Sequence, residues 1–329
     1  MAPAVRLGST DLSGRARAGA QLVPAILDCD PGHDDAIAML LALASSELEL
    51  LGVTTVSGNQ TLAKTTANAI SVLHHVGADG IPVAAGAQRP LVRERCVAAG
   101  VHGDSGLDGP DLPPPAREPD ALHAIDWIAA TLAATPSPVT LIATGPLTNV
   151  ALFIARYPEL MHRIERIVLM GGAIGEGNVT PAAEFNIWAD PEAAQRVFCS
   201  GVDLTMVGLD VTHRALMTQQ HVERLERKGA AGRLVADLFR FYVRYHRLHY
   251  GWNGAPVHDA VAVAQAIDPT LLQTTDCGVV VDTGSELSRG RTNADRWGLA
   301  GWRHNCHVAV GIDTERFFEL LIGRIGALG

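Results

Sequence analysis

Residues 23–44 have the sequence VPAILDCDPGHDDAIAMLLALA, in which four carboxylates fall within eight positions. The apolar run at residues 23–27 predicts a buried strand. Residues 36–44 are rich in good helix formers and predict a helix. The Pro-Gly pair between them turns the chain, so the carboxylates lie on a strand-to-helix turn.

The four carboxylates are Asp28, Asp30, Asp34 and Asp35. The first two share one side of the strand end, and the last two begin the helix, where the helix dipole favours anions. Carboxylates this close repel one another unless a cation, a proton or solvent compensates. Hard oxygen ligands without a fitting Cys or His favour calcium or magnesium over zinc. A solvated acidic helix cap is the alternative, but four carboxylates after a buried strand favour a metal site.

The composition excludes several classes of function. The chain has 329 residues, a hydrophobic fraction of 47% and a formal net charge of −9, which fit one large α/β domain and argue against a nucleic-acid partner. No apolar run reaches the length of a membrane span. The five cysteines are scattered and odd in number, and they predict neither a disulfide framework nor a zinc site: Cys29, Cys96, Cys199, Cys277 and Cys306. A cytoplasmic enzyme or binding protein is expected.

The order of elements predicts the fold class. A second strand over residues 48–56 ends in Ser57-Gly58-Asn59 and precedes a helix over residues 61–76. This repetition of strand, polar terminus and helix is typical of an open, mostly parallel, Rossmann-like α/β sheet with helices on both faces. Such sheets bind ligands at the carboxyl ends of their strands, where Asn59 lies.

The remaining elements follow from the same patterns. Residues 1–20 lack a signal-peptide apolar region and are expected to be a disordered extension. The other predicted strands cover residues 81–86, 139–143, 164–170, 202–209, 278–281 and 306–310. Helices are predicted over residues 120–134, from 191, over 219–250 and after Asp313. Residues 87–118 predict a long functional loop, and residues 285–305 a solvated hairpin.

Residues 28–36 fit the pattern Asp-x-Asp-Pro-Gly-x-Asp-Asp-Ala and resemble the N-terminal signature of the inosine-uridine preferring nucleoside hydrolase family, the ribonucleoside N-ribohydrolases. His33 departs from the apolar residue usual at that position. Further segments extend the resemblance to the C-terminus: His-Gly-x-x-Gly-Leu from His102, Thr-Gly-Pro-Leu-Thr-Asn from Thr144, Met-Gly-Gly-Ala from Met170, Glu-Phe-Asn from Glu184 and Pro-x-His-Asp from Pro256.

The resemblance implies hydrolysis of ribonucleosides to ribose and free base, in nucleoside salvage or catabolism, by a catalytic domain over residues 21–329. It implies a calcium ion (Ca2+) held by Asp30, Asp35, the Thr144 carbonyl and Asp259. We expect Asp28 to orient the turn from behind these ligands. Family members are commonly homodimers or homotetramers.

The catalytic and substrate-binding residues follow from the same segments. Asp34 is the expected general base on a calcium-bound water, and His258 is a candidate acid for the leaving base. Two or more amides beside a carboxylate suit a polyol such as ribose. The expected substrate-binding residues are Asn59, Met170, Asn178, Glu184, Asn186 and, for the base, His102.

Two other functions remain open at this point. One is a non-catalytic, calcium-dependent nucleoside- or sugar-binding protein. The other is a magnesium-dependent, haloacid-dehalogenase-like phosphatase, which also begins with Asp-x-Asp after its first strand; the Pro-Gly-His-Asp-Asp continuation argues against it. The sequence leaves open whether purine or pyrimidine nucleosides are preferred. An aromatic stripe at helical spacing is expected to place Phe239 and Tyr242 in the core.

Overall fold

A sheet of eight strands forms the centre of the computed structural model, which describes residues 22–328. Four further strands of the described residues form two small sheets, in which β7 pairs with β8 and β10 with β11. In chain order, the strands are β1 (Val23–Cys29), β2 (Leu48–Thr55), β3 (Val83–Ala85), β4 (Val139–Ala143), β5 (Ile164–Met170), β6 (Leu204–Val207), β7 (Leu216–Thr218), β8 (Gly254–Pro256), β9 (Leu272–Cys277), β10 (Val279–Val281), β11 (Thr292–Ala294) and β12 (Cys306–Ile312).

The helices pack around this sheet. They are α1 (His33–Ala44), α2 (Leu62–His75), α3 (Ala99–His102), α4 (Ala124–Ala134), α5 (Thr148–Arg156), α6 (Phe185–Ala189), α7 (Pro191–Phe198), α8 (Leu209–Thr212), α9 (Gln219–Glu226), α10 (Gly229–Tyr250), α11 (His258–Ile267) and α12 (Thr314–Ile325), with 3-10 helices at Pro158–Arg163 and Pro269–Leu271.

The central sheet has the order β3-β2-β1-β4-β5-β6-β12-β9. All neighbouring strands in it are parallel except β9, which runs antiparallel to β12 at one edge. The chain builds outward from β1 through β2 to β3, and then from β4 through β5 to β6 on the other side. The strand order therefore reverses between β1 and β4, which opens a crevice at their carboxyl ends.

Both faces of the sheet are covered by helices. In β1, Ala25, Leu27 and Cys29 belong to a core cluster with α1, α2, α10, α11 and α12, whereas Ile26 belongs to a second cluster with α4, α5 and α7. A strand buried on both faces reads as a continuous apolar run, which is the pattern of residues 23–27. The predicted mostly parallel α/β sheet with helices on both faces is confirmed.

Some element boundaries differ from the prediction for local reasons. Residues 219–250 form two helices, because Gly229 at a φ of 90° interrupts the helical backbone. The helix predicted from residue 120 begins at Ala124, since the Asp120 N–H donates to the Val83 carbonyl (2.7 Å) and keeps that segment extended beside β3. The predicted cap Asp313 accepts a hydrogen bond from the Arg316 N–H (3.1 Å) and begins α12.

The sequence analysis missed the strands β7, β8, β9 and β11. The edge strand β9 is polar and mostly exposed, so it lacks an apolar pattern. The predicted solvated hairpin contains β11, whose buried Thr292 hydroxyl donates to the Ala173 carbonyl (2.8 Å). The exposed surface of the predicted hairpin also includes three large apolar side chains, those of Leu287, Trp297 and Leu299.

Two further observations concern the ends of the chain and membranes. The predicted extension over residues 1–20 lies outside the described residues. Within residues 22–328, no helix is both long and apolar enough to cross a bilayer.

Asn149, on the first turn of α5, joins three segments of the sheet. Its amide nitrogen donates to Oδ1 of Asp28 on β1 (2.7 Å) and to the Thr55 carbonyl on β2 (3.0 Å). Its Oδ1 accepts from the Ala87 N–H (2.8 Å), just beyond β3. One buried side chain therefore satisfies three polar groups at the strand ends.

We predict that Asn149→Ala lowers the free energy of unfolding by about 3 kcal/mol, because it leaves buried polar groups without partners. Urea denaturation followed by circular dichroism measures this change. The matched control is Asn293→Ala, which removes only a hydrogen bond of 3.4 Å to the Val280 carbonyl; it should cost less than about 1 kcal/mol. Equal urea midpoints for Asn149→Ala and wild type would contradict the prediction.

Candidate active site

A cavity of about 370 Å³ opens at the carboxyl ends of β1, β4 and β5. Residues predicted for the site from distant segments meet there: its lining includes Asp34, Asn59, His102, Thr144, Met170, Asn178, Glu184, Asn186, His258 and Asp259. The three other predicted site residues, Asp28, Asp30 and Asp35, are completely buried.

Three carboxylates lie close together at the cavity. One oxygen each of Asp34, Asp35 and Asp259 lies within 4.8 Å of the other two. The first turns of α1 and α11 supply them, so the positive ends of two helix dipoles face the group. Three buried carboxylates at this spacing could hold a metal ion.

Four hydrogen-bond donors fix the carboxylate of Asp35. Its Oδ1 accepts from the Asp30 N–H (3.3 Å) and the Thr144 hydroxyl (3.0 Å). Its Oδ2 accepts from the Gly32 N–H (3.0 Å) and the Asn59 amide (2.9 Å). This side chain therefore accepts hydrogen bonds from the strand-helix turn, from the end of β2 and from the end of β4.

Asp30 and Asp28 each have one buried carboxylate oxygen that no group in residues 22–328 satisfies, Oδ1 in Asp30 and Oδ2 in Asp28. The other oxygen of Asp30, Oδ2, accepts from the Asn59 N–H (2.6 Å). A Cβ at Gly58 would lie 2.1 Å from Oδ2, and one at Gly145 would lie 2.6 Å from Oδ1, so the backbone approaches this carboxylate closely. A buried, unpartnered carboxylate oxygen is costly without a positive charge nearby. This observation fits a bound cation.

Burial shifts the acid–base equilibria of the whole cluster. Burial and then the negative charge of Asp35 raise the pKa of Asp34 to about 8. Burial raises the pKa of Glu184 to about 7 and the pKa values of Asp30 and Asp259 well above their usual range. Without a cation, the cluster cannot be fully ionised near neutral pH. A hard divalent cation matches this all-oxygen donor set.

Asp28 lies on β1 and supports the strand ends. Its Oδ1 accepts from the Thr54 hydroxyl (2.5 Å) as well as from Asn149. Burial raises its pKa to about 6. Its contacts tie β1 to β2 and α5. Its predicted role in orienting the turn stays a prediction.

One wall of the cavity carries several of the groups that were predicted to bind ribose. Glu184 caps α6 by accepting from the Asn186 N–H (2.9 Å) and also accepts from the Gly172 N–H (2.9 Å). The Asn186 amide donates to the carbonyls of Thr144 (2.7 Å) and Met170 (3.2 Å). These contacts hold the polar groups in fixed orientations at the ends of β4 and β5.

Two predicted histidines line the cavity. His258 Nδ1 lies 2.7 Å from the Thr212 hydroxyl, and His102 Nδ1 contacts His33 at the beginning of α1. Burial lowers the pKa of both His102 and His258 well below the usual value. Both rings are therefore neutral near pH 7 and are suited to hydrogen bonding.

The sequence analysis missed an aromatic wall of the cavity. It is formed by the end of α10 and the segment after it: Tyr242, Tyr245, His246, Tyr250 and Trp252. Tyr250 and Trp252 stack with ring centroids 4.5 Å apart and an interplanar angle of 20°. Phe239 lies in the core as predicted, whereas the buried Tyr242 also lines the cavity. The continuation of the stripe to Tyr250 is the sequence signal for this wall.

The long loop after β3 reaches the same cavity. Its residues Cys96, Val97 and Ala98 contribute to the lining, and the Ala98 N–H donates to the Asn59 carbonyl (3.0 Å). Arg93 fastens the loop by donating to the Glu192 carboxylate (2.9 Å) and the carbonyl of residue 283 (2.8 Å). The loop is therefore an ordered part of the site.

The chain resembles known proteins over nearly its whole length. The family model described as inosine-uridine preferring nucleoside hydrolase matches residues 25–319. The chain is 50% identical over 301 residues to the pyrimidine-specific ribonucleoside hydrolase RihA of Shewanella sp. (strain MR-7). The aligned region covers 91% of this chain and 95% of that protein.

Solved structures give the same result. The purine-preferring ribonucleoside hydrolase from Gardnerella vaginalis matches with a TM-score of 0.87 and 35% identity, over 93% of this chain and 98% of that one. The plant nucleoside hydrolase PpNRh1 matches with a TM-score of 0.87 and 34% identity, over 93% of this chain and 100% of that one.

We predict that metal-free protein becomes less stable relative to Asp34→Asn as the pH rises. The folded-state pKa of Asp34, about 8, exceeds its ordinary value of 3.8, so the folded protein binds this proton more tightly than the unfolded chain does. The associated stabilisation is complete below about pH 4 and is lost as the pH rises to about 8. Added Ca²⁺ should restore stability at the upper end by binding the ionised cluster.

Urea midpoints of both proteins across this pH range, in chelator and in excess Ca²⁺, measure the effect. Asp34→Asn carries no titrating group at this position and is the matched reference. A wild-type protein that gains stability relative to Asp34→Asn as the chelated sample becomes more alkaline would contradict the prediction.

Proposed function

The chain belongs to the inosine-uridine preferring nucleoside hydrolase family and is an N-glycosyl hydrolase of ribonucleosides, and we propose that it is calcium-dependent, prefers pyrimidine ribonucleosides and serves nucleoside salvage or catabolism. The observation that carries the proposal is the group of buried carboxylates beside a cavity with polar and aromatic walls. The family match over residues 25–319 does not favour the binding-protein or phosphatase alternatives.

Asp30, Asp35, the Thr144 carbonyl and Asp259 would hold the calcium. The unpartnered Oδ1 of Asp30 supports this choice, as does the carbonyl of Thr144 beside the cavity. Carboxylate and carbonyl oxygens are ordinary calcium ligands, and six to eight oxygens are typical of the ion. When bound, the ion would supply positive charge that favours ionised carboxylates and lowers the pKa of nearby water.

Asp34 would be the general base. Unlike Asp30 and Asp35, it lines the cavity, where a water and a substrate can approach it. In the proposed step the Asp34 carboxylate takes a proton from water, whose oxygen forms a bond to C1′ of the ribose. The bond from C1′ to the base nitrogen breaks, and its electron pair leaves with the base.

The amides have complementary free atoms for ribose hydroxyls. The amide nitrogen of Asn59 is engaged by Asp35 and the Asp30 carbonyl, and that of Asn186 by two carbonyls, so their Oδ1 atoms remain as acceptors. Asn178 is the reverse: its Oδ1 accepts from the Phe185 N–H (2.9 Å), which leaves its amide nitrogen to donate. With Glu184 and Met170 on the same wall, these groups would orient the sugar and stabilise its developing positive charge.

The leaving base would lie between the aromatic wall and the two histidines. A flat wall of Tyr and Trp rings suits a planar heterocycle. His258 remains the candidate acid, and its lowered pKa favours hydrogen-bond donation over storage of a proton. His102 would contact the base from the loop side of the cavity.

We also propose that the protein is a cytoplasmic homodimer or homotetramer, with no nucleic-acid or membrane partner, and that residues 21–329 form one catalytic domain. The cysteines support a reducing compartment, because all five are free thiols. The exposed side chains of Trp297 and Leu299 support the presence of an interface between subunits. The net charge of −9 disfavours binding to polyanions.

We predict that uridine and cytidine are cleaved with a kcat/KM at least about tenfold above that of inosine, a difference that a base pocket can supply. The preference rests on the relative named pyrimidine-specific at 50% identity, against the purine-preferring structure at 35%. Release of reducing sugar from each nucleoside measures it, with 2′-deoxyuridine as a control for the ribose contacts. Faster cleavage of inosine would overturn the preference, and no cleavage of any nucleoside would overturn the proposed activity.

We predict that Asp34→Ala lowers kcat on uridine by about a hundredfold or more, the contribution of a general base. Nucleoside binding should persist, because the ribose-orienting groups are unchanged. Steady-state kinetics of the calcium-loaded variant measure the effect, and Asp111→Ala, at an exposed position of the loop, is the matched control. Unchanged turnover in the Asp34 variant would exclude it as the base.

A further inference from the structure

The buried hydroxyl group of Thr212 lies beside His258, in a position that the proposed function does not use. Thr212 is the last residue of α8, and its side-chain oxygen lies 2.7 Å from His258 Nδ1. We propose that Thr212 is a positioning residue: its hydroxyl donates to His258 Nδ1 and holds the ring with its hydrogen on Nε2, so that His258 donates a hydrogen bond to the leaving base. This inference rests on the proposed nucleoside hydrolysis.

The burial of the Thr212 hydroxyl decides the direction of this hydrogen bond. Thr212 has no exposed surface, and His258 Nδ1 is the one hydrogen-bond partner of its hydroxyl within residues 22–328. If the ring donated from Nδ1, the hydroxyl hydrogen would be buried without an acceptor, which is costly. If the hydroxyl donates instead, both groups are satisfied. His258 Nδ1 is then the unprotonated nitrogen of a neutral ring.

The single hydrogen of that neutral ring is on Nε2. Among the described residues, no group competes for it, because His258 Nε2 has no hydrogen-bond partner there. Nε2 is also absent from the unpartnered side-chain atoms of residues 22–328 that are sealed from the surface. His258 lines the cavity, so its Nε2–H is open to a ligand there.

The backbone holds Thr212 and His258 in a fixed relative position. The Ala215 N–H donates to the Thr212 carbonyl (3.0 Å), and the Val257 N–H, just before His258, donates to the Ala215 carbonyl (3.2 Å). The antiparallel pair of β7 and β8 continues directly from these contacts. Two successive hydrogen bonds and a strand pair therefore present the hydroxyl to the ring.

The consequence is specific to the leaving group. As the glycosidic bond breaks, negative charge develops on the base, and a donor already aimed at it stabilises the transition state more than the ground state. Without the Thr212 hydroxyl, the His258 ring can rotate and can carry its hydrogen on either nitrogen. Displacing a catalytic group by about 1 Å can cost about a hundredfold in rate. A leaving group that is already a stable anion does not need this hydrogen bond.

Two substrates and two variants of Thr212 test the proposal. Thr212→Val replaces the hydroxyl by a methyl group, and kcat/KM on uridine should fall about tenfold to a hundredfold. On 4-nitrophenyl β-D-ribofuranoside, whose leaving group is a stable anion, the fall should be less than about threefold. Thr212→Ser keeps the hydroxyl and should recover most of the activity on uridine. Equal losses on the two substrates, or a serine variant as impaired as the valine variant, would overturn the proposal.

Thr140 of β4 offers the matched control. It is as completely buried as Thr212, but its hydroxyl has no hydrogen-bond partner within residues 22–328. Thr140→Val therefore makes the same chemical change without removing a hydrogen bond, and kcat/KM on both substrates should stay within about twofold of wild type. A loss on uridine as large as that of Thr212→Val would assign the effect to repacking of a buried threonine and would overturn the proposal.

A double-mutant cycle separates positioning from general damage. In a His258→Ala background, Thr212→Val should cause no further loss on uridine, because the group that it positions is absent. Additive losses would contradict the proposal, since Thr212 would then act through the fold.

A spectroscopic measurement on the wild-type protein does not depend on the folding of any variant. Imidazole nitrogen-15 chemical shifts should show His258 protonated at Nε2 and unprotonated at Nδ1, with the Nδ1 signal moved toward the protonated value by the Thr212 hydroxyl. A proton on Nδ1 would overturn the proposal. If the wild type cleaves no nucleoside, the proposed function fails, whereas these chemical shifts still report whether Thr212 holds the ring.

Discussion

Electrostatic repulsion among buried carboxylates is the constraint on which this structure depends. Asp30, Asp34, Asp35 and Asp259 are all buried at one end of the sheet. Four donors satisfy Asp35, while Asp30 keeps an oxygen that nothing in the described chain satisfies. Glycines at positions 58 and 145 permit the backbone to approach Asp30. The fold therefore assembles a group of buried carboxylates that could hold a cation.

The sheet topology makes this assembly possible. The reversal of strand order between β1 and β4 brings the ends of four neighbouring strands to one crevice. Asp30, Asn59, Thr144 and the groups around Met170 follow those strands, and α11 adds Asp259 from the distant C-terminal part. The same hydrogen bonds that hold the strand ends also orient the polar side chains that line the crevice.

The sequence predicted the parts of the site that local pattern determines. The strand-helix turn at residues 23–44, β4, β5 and the cap Asp313 are short-range features, and the signature segments locate residues that meet in space. The aromatic wall was not predicted, because an aromatic stripe has the same helical period whether it faces the core or a cavity. The edge strand β9 lacks an apolar pattern, and the contact of His33 with His102 depends on a loop that has no periodicity.

Central to the proposed function is the proposal that these carboxylates, brought together by the fold, bind calcium. A crystal structure of the calcium-loaded protein, with anomalous scattering to identify the ion, tests this claim most directly. We expect one calcium within about 2.3–2.6 Å of oxygens from Asp30, Asp35, Thr144 and Asp259. A saturated crystal without an ion among these residues, or with the ion bound elsewhere, would contradict the claim.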